Sequence, residues 1–333
     1  MSASEAVPTS LDDAVAQQAE RALDKLAAAR AAVEAVIFGQ GAVVEEALAT
    51  VLSGGHGLLV GVPGLAKTKL VETLAVVLGL DSQRIQFTPD LMPSDILGSE
   101  VLDETPDHKR AFRFVQGPVF TQLLMADEIN RASPRTQSAL LQAMQENHVT
   151  VAGQRYDLPR PFHVLATQNP LEQEGTYPLP EAQLDRFLMQ IDVAYPDRDA
   201  ERRILLDTTG DTVSKPKQAL TVDDLSQAQR LVRRLPVGET VLDAILDLVR
   251  SARPGEGDAA IVRHVAWGPG PPLRIPMLAT LRVRARDEAA RRRLRCRGAG
   301  GPVLKHRMAL TFAARADGET ISGIVKKLTA RFS

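Results

Sequence analysis

Leu58-Leu59-Val60-Gly61-Val62-Pro63-Gly64-Leu65-Ala66-Lys67-Thr68 decides how this chain is read. An apolar run of strand type breaks at a glycine-bearing loop. The loop gives way to Leu70, Leu74 and Leu78 at i, i+4 and i+8, one face of a helix stopped by Gly79. A glycine-rich loop between a strand and a helix is the setting of a phosphate-binding loop. Gly61 and Gly64 let backbone N–H groups approach phosphate oxygens, and the helix N-terminus adds partial positive charge. Lys67 is then expected to bridge the β- and γ-phosphates of a nucleotide, and the Thr68 hydroxyl to hold Mg²⁺. The strict pattern has glycine where this chain has Ala66. Taken alone, the loop competes with a Gly-Pro turn ahead of an ordinary helix.

Working outward, the alternation repeats. Residues 84–87, 122–126, 162–167 and 187–193 read as strands, the second and third as fully buried apolar runs. Ser133-Pro134 is an N-cap with a first-turn proline, opening a helix with Leu140, Ala143 and Met144 on one face. Apolar strands alternating with helices predict an α/β domain around a mainly parallel sheet buried on both faces. Upstream, residues 11–37 predict a helix closed by Gly39, and Val43 to Leu52 a second. Residues 197–253 read as helices only, which sets a domain boundary near 194. Residues 88–118, opening rich in Pro and Asp, and 148–160, a hairpin around Ala152-Gly153, look like insertions.

Asp127 and Glu128 close the run Leu123-Leu124-Met125-Ala126. Carboxylates at a buried strand end are costly unless a charge meets them. Mg²⁺ would meet Asp127, and Glu128 would polarise the attacking water. A solvated acidic pair is the plainer alternative. Asn169 follows the strand 162–167, where an amide could orient that water; a loop residue before Pro170 is the alternative. Arg186, just before the last strand, could neutralise transition-state charge as an arginine finger, or form a surface ion pair.

The chain has 333 residues and a formal net charge of −1, which argues against a histone-like nucleic-acid binder. At 44% hydrophobic and 24% charged it can bury a core, and Phe 9, Tyr 3 and Trp 1 make that core aliphatic. Cys296 is the sole cysteine, so no internal disulfide or cysteine-based zinc site forms. His56, His108, His148, His163, His264 and His306 show no ligand spacing. The first residues carry acids and no apolar h-region, and no apolar stretch reaches the about 18 residues of a membrane helix. A reduced, cytoplasmic protein is expected.

Several long strings together resemble the MoxR family of AAA+ ATPases. They are GVPGLAKT (61–68), QFTPDLMPSDILG (86–98), LLMADEINRASPRTQSALLQAMQE (123–146) and LATQNPLEQEGTYPLPEAQLDRF (165–187). The resemblance spans about residues 36 to 271 and resumes at Pro302-Val303-Leu304-Lys305-His306-Arg307. It implies an AAA+ P-loop αβα sandwich over 36–194, with a helix-2 insert at 88–118 and a pre-sensor hairpin at 148–160. A smaller all-helical lid over 195–333 follows, and a helical segment over 1–35 precedes. It implies ATP and Mg²⁺ as cofactors and a homo-oligomeric ring, usually a hexamer, with ATP between subunits.

On that match Gly61, Pro63, Gly64, Leu65, Ala66, Lys67, Thr68 and Lys69 form Walker A, and Asp127 and Glu128 Walker B. Asn169 is sensor 1, Arg186 the finger acting on the neighbour's ATP, and Gly39-Gln40 the segment near the adenine. Family members are thought to be chaperones that assemble or activate protein complexes or insert metal cofactors. They often work with a partner carrying a von Willebrand factor A domain; the client is unnamed.

One stretch departs from the family. The lid usually carries Gly-x-x-Pro-Arg, whose Arg is sensor 2; here Gly268-Pro269-Gly270-Pro271 is followed by Pro272, and Arg274 lies two positions late. Residues 271–301 no longer resemble the family, and between 282 and 297 eight arginines face only Asp287 and Glu288. The favoured reading is a compensated pair of frame shifts; the other is a diverged lid helix whose basic face meets an acidic partner or nucleic acid. An AAA+ nucleic-acid motor or clamp-loader-like protein, and a catalytically weak nucleotide-binding scaffold, are the alternative functions.

Overall fold

A computed structural model describes residues 11–104, 110–172, 174–209, 215–234, 238–257, 259–270 and 296–330. Arg274 and most of the atypical stretch, 271–295, lie outside them. The helices are α1 (Leu11–Glu34), α2 (Gly41–Leu52), α3 (Lys67–Leu78), α4 (Pro93–Leu97), α5 (Pro134–Glu146), α6 (Glu181–Leu184), α7 (Arg198–Thr209), α8 (Val222–Arg234), α9 (Glu239–Ser251) and α10 (Ala259–Val262). Three more close the chain: α11 (Cys296–Leu304), α12 (Phe312–Ala316) and α13 (Ile321–Ala330). The strands are β1 (Gly57–Val60), β2 (Ser82–Gln86), β3 (Gly98–Glu104), β4 (Arg110–Gln116), β5 (Leu123–Asp127), β6 (His148–Val151), β7 (Gln154–Asp157), β8 (His163–Gln168), β9 (Met189–Asp192), β10 (Val265–Trp267) and β11 (Ala309–Leu310).

Five strands form one sheet in the order β2-β5-β8-β1-β9, and every pairing in it is parallel. The chain starts at β1, crosses to the far edge at β2, steps back through β5 and β8, and passes β1 to reach β9. The order therefore reverses at β1, and in open α/β sheets ligands bind at the carboxyl ends of strands at such a point. Strand alternation sends side chains to two cores. Leu59, Leu123, Met125 and Leu165 pack with α1, α2, α3 and the C-terminal helices. Leu58, Leu124, Ala126, Val164 and Ala166 pack with α5, Phe87 and Phe187 on the other face. A sheet with both faces covered explains why these strands read as continuous apolar runs.

Each expected insertion contains an antiparallel hairpin, the first preceded by α4. β3 pairs with β4 from Gly98↔Gln116 to Glu104↔Arg110, and β6 with β7 around Ala152-Gly153. α1 ends at Glu34, short of the expected 37, and residues 35–40 turn before α2. After β9 the region expected to be an all-helical lid also holds strands. β10 pairs antiparallel with β11, through Val265↔Leu310 and Trp267↔Ala309. Two segments of two or three residues, more than forty positions apart, are too short for a period-2 pattern to reveal.

Candidate nucleotide site

The loop 61–66 leaves β1 beside the end of β9. A Cβ on Gly61 would lie 2.6 Å from the Val193 carbonyl oxygen, so only glycine lets the chain pass. Gly64 turns at φ +83°, and Ala66 sits left-handed at φ +57°, ψ +23°, immediately before α3. The left-handed backbone accounts for the glycine of the strict pattern; alanine there bears roughly 1–2 kcal/mol of strain. Lys67 opens α3, and its Nζ folds over the loop to donate to Gly61 O (2.5 Å) and Val62 O (2.8 Å). Burial holds the Lys67 ammonium below its usual pKa, while the charges of Asp127, Glu128 and Glu172 pull it back up. Thr68 follows on the first turn, half-buried.

Asp127 ends β5 with its carboxylate divided between two partners. Oδ1 accepts from the Thr167 hydroxyl at 2.5 Å, and Oδ2 meets Arg84 Nη2 of β2 at 2.7 Å. The charge that a buried strand-end carboxylate requires is supplied here by Arg84. Glu128 follows in a left-handed conformation, φ +55° and ψ +50°, a strained state for a non-glycine residue of the kind that gathers at functional sites. Its N–H donates to Thr167 Oγ1 (2.8 Å), and its Oε2 accepts from Gln86 Nε2 (2.6 Å) and Arg131 Nη1 (2.9 Å). Asn169, just past β8, is buried and accepts the Leu171 N–H on Oδ1 (3.1 Å). A backbone donor fixes the oxygen, so the NH₂ end of the Asn169 amide is the end left to meet an anion.

Gln40, Phe38 and the loop residues Gly64, Leu65 and Ala66 line a cavity of about 180 Å³ with Val36, Ile37, Lys69, Pro196, Ile204 and Asp207. Gln40 Nε2 donates to Leu65 O (3.2 Å), whereas its Oε1 is buried with no protein partner. Gly39 faces α7 so closely that a Cβ would lie 2.3 Å from Ala200 Cβ, and its φ is +71°. Lys69 Nζ and Asp207 Oδ2, 3.9 Å apart, bridge α3 and α7. An apolar slot with one unsatisfied amide oxygen suits a flat aromatic base bearing an amino group.

The structure thus gathers Gln40, the loop, Lys67, Thr68, Asp127, Glu128 and Asn169 at the carboxyl ends of β1, β5 and β8. It does not bring Arg186 to them. Gly57 at the start of β1 pairs with Met189 at the start of β9, so Arg186 lies at the opposite edge of the sheet. Among the described residues its guanidinium makes no ion pair. Sequence reasoning missed Thr167, Arg84 and Gln86. The only available signals were a hydroxyl at the end of the mainly apolar run 162–167 and the polar composition of β2.

Among the described residues no three His, Cys, Asp or Glu side chains converge as a closed metal site. Thr68 and Asp127 offer oxygen donors, a set that fits Mg²⁺ arriving with phosphates, since that ion keeps most of its positions for phosphate and water. No helix among the described residues is long and apolar enough to cross a membrane.

Comparison with known proteins agrees with this geometry. The ATPase family associated with various cellular activities (AAA) matches residues 56–189. Chaperone MoxR1 of Mycobacterium tuberculosis is 43% identical over 86% of this chain and 76% of its own length. The uncharacterised protein YeaC of Bacillus subtilis is 42% identical over 66% of this chain and 68% of its own. A crystal structure of an ATPase candidate from Cytophaga hutchinsonii superposes with a TM-score of 0.83 at 33% identity, covering 96% of this chain and 97% of that one. With the strand order, the loop and the paired acids in place, the conclusion is that this chain belongs to the MoxR family of AAA+ ATPases.

Proposed function

We infer that this chain binds ATP with Mg²⁺ and hydrolyses it in a ring, each nucleotide lying between two copies. One observation carries the reading: the phosphate loop, Asp127, Glu128 and Asn169 share one edge of the sheet, while Arg186 lies at the other. That separation supports reading Arg186 as serving a neighbour's site rather than its own. Lys67 binds the β- and γ-phosphates, and Thr68 and Asp127 hold Mg²⁺, which when bound neutralises charge on the phosphates. Glu128 accepts the proton of the attacking water, the Asn169 amide orients that water, and Arg186 reaches across the interface. Gly39, Gln40, Pro63, Leu65, Ala66 and Lys69 hold the base and shape the loop.

The energy is spent on a protein client, in assembly, activation or metal insertion, together with a partner bearing a von Willebrand factor A domain. The M. tuberculosis relative named a chaperone supports a protein client; metal insertion and the partner are carried from the family resemblance. Phosphate release by wild type, Lys67→Ala and Arg186→Ala, alone and mixed, tests the reading. Each variant alone should be inactive. Random pairing in a cyclic ring should restore roughly a quarter of wild-type turnover, because one interface in four then joins an intact site to an intact finger. Absence of recovery, with co-assembly demonstrated, overturns the shared site. Nucleotide binding without turnover in wild type would favour a scaffold.

A further inference from the structure

The run 302–307 resembles the family but has no part in the chemistry above, and its last residue is the most heavily engaged cation of the described chain. Arg307 ends a short 3₁₀ turn (Lys305–Arg307) after α11 and is 2% exposed. A guanidinium has five N–H donors in a rigid fork. Here they go to five acceptors: Nε to Asp185 Oδ1 (2.6 Å), Nη1 to Leu188 O (3.2 Å) and Val303 O (2.8 Å), and Nη2 to Asp185 O (3.1 Å) and Phe187 O (2.7 Å). His306 Nε2 adds a contact to Phe187 O at 2.9 Å, and Lys305 Nζ meets Asp192 Oδ2 at 2.5 Å.

Four of Arg307's five acceptors belong to residues 185, 187 and 188. The residue they enclose is Arg186, whose own guanidinium is engaged by no described side chain. Burying a charge is expensive, and desolvation holds the Arg307 pKa below its ordinary value. Tethering a loop in general would need only a neutral donor or two. A saturated fork instead fixes the backbone on both sides of one residue.

We propose that Arg307 is a positioning residue for Arg186: it clamps 185–188 so that Arg186 is presented to the nucleotide of the adjoining copy. The clamp comes from the C-terminal region, so movement of that region re-aims the finger. The proposal rests on the reading of Arg186 as a finger acting in trans.

The test is which partner rescues an Arg307 variant. Lysine keeps the charge but cannot reach five acceptors. Arg307→Lys should lower turnover at least about tenfold and, because carbonyls of 185–188 lose their donors, lower the thermal midpoint as well, with assembly retained. If the defect lies in the finger, Lys67→Ala subunits, which have good fingers and dead sites, should restore activity to Arg307→Lys, and Arg186→Ala subunits should not. The reverse pattern, rescue by Arg186→Ala, would mean that Arg307 supports its own site and would overturn the proposal. Unchanged turnover would also overturn it.

Asp185→Asn keeps the shape and removes the counter-charge, and should show the same choice of rescuer more mildly. It decides the matter if Arg307→Lys fails to fold. Failure of Lys67→Ala and Arg186→Ala to rescue each other would instead sink the trans-finger reading, whatever Arg307 does.

Discussion

Thr167 holds Asp127: its hydroxyl donates to Asp127 Oδ1 at 2.5 Å, and Thr167 Oγ1 accepts the N–H of Glu128 at 2.8 Å. One side chain of the neighbouring strand therefore sets both acids, the expected metal ligand and the expected base. Valine keeps the shape and strands both partners, each at about 1–3 kcal/mol. Thr167→Val should lower kcat by about 10- to 100-fold, with nucleotide affinity within about threefold, and Thr167→Ser should stay near wild type. Steady-state phosphate release with a fluorescent-nucleotide titration separates the two quantities. Equal kcat in Thr167→Val and wild type would refute the role.

Gly39 is set by its neighbour Ala200. Alanine at 39 would place its Cβ 2.3 Å from Ala200 Cβ at a φ of +71°. Gly39→Ala should push α7 off the cavity and weaken nucleotide binding about tenfold or more. Adding Ala200→Gly removes the collision but not the backbone strain, so the double variant should recover part of the affinity. A double variant as weak as Gly39→Ala would assign the whole effect to φ.

Ala66 offers the opposite case. Glycine at 66 relieves left-handed strain but adds freedom to the unfolded chain, so a gain of about 0.5–1 kcal/mol remains. Urea unfolding of Ala66→Gly should show a higher midpoint at unchanged slope. A lower midpoint would mean that the loop is not strained at this residue.

Three histidines make the fold sensitive to acid. Burial lowers His56 to a pKa of about 3, His163 to about 4 and His306 to about 3, against an ordinary 6.5. His56 accepts the Val164 N–H, and His163 meets Gln229 Nε2 at 3.0 Å, so each neutral ring has a partner. Protons bind the unfolded chain more readily. The stability these rings contribute is complete above pH about 6.5 and falls as pH drops towards the folded values near 4 and 3. The loss is at most about 1.4 kcal/mol per pH unit per histidine. Unfolding midpoints between pH 7.5 and 5 should decline, and His163→Gln should decline less steeply. A flat wild-type profile would contradict the burial.

The strands around Leu58, Leu124 and Leu165 were legible because a sheet covered on both faces leaves unbroken apolar runs. The turn between β1 and α3 was legible because Gly61 and Gly64 stood between an apolar run and a helical period. The hairpin β3–β4 was not. Its residues are mostly exposed, including Phe112 at 71%, so no buried face imposes a period of two. β10 and β11 were missed for shortness. Thr167 escaped because a hydroxyl in a buried strand looks like any β-branched filler until its partners on β5 are known. Arg307 was seen as part of a matching string, but its five acceptors lie more than a hundred positions away or one turn back.

Leu59 and Met189 of the sheet stand in one apolar cluster with Leu248, Val303 and Leu328 of the later helices. A shared oil layer of this kind has no seam along which the two parts could swing open without wetting both. Motion of the C-terminal helices must then be a shear of packed surfaces by small steps rather than a hinge. The same layer ties their melting together. Calorimetry should record a single cooperative transition, and a chain cut after β9 should expose the apolar surface that the later helices cover and aggregate.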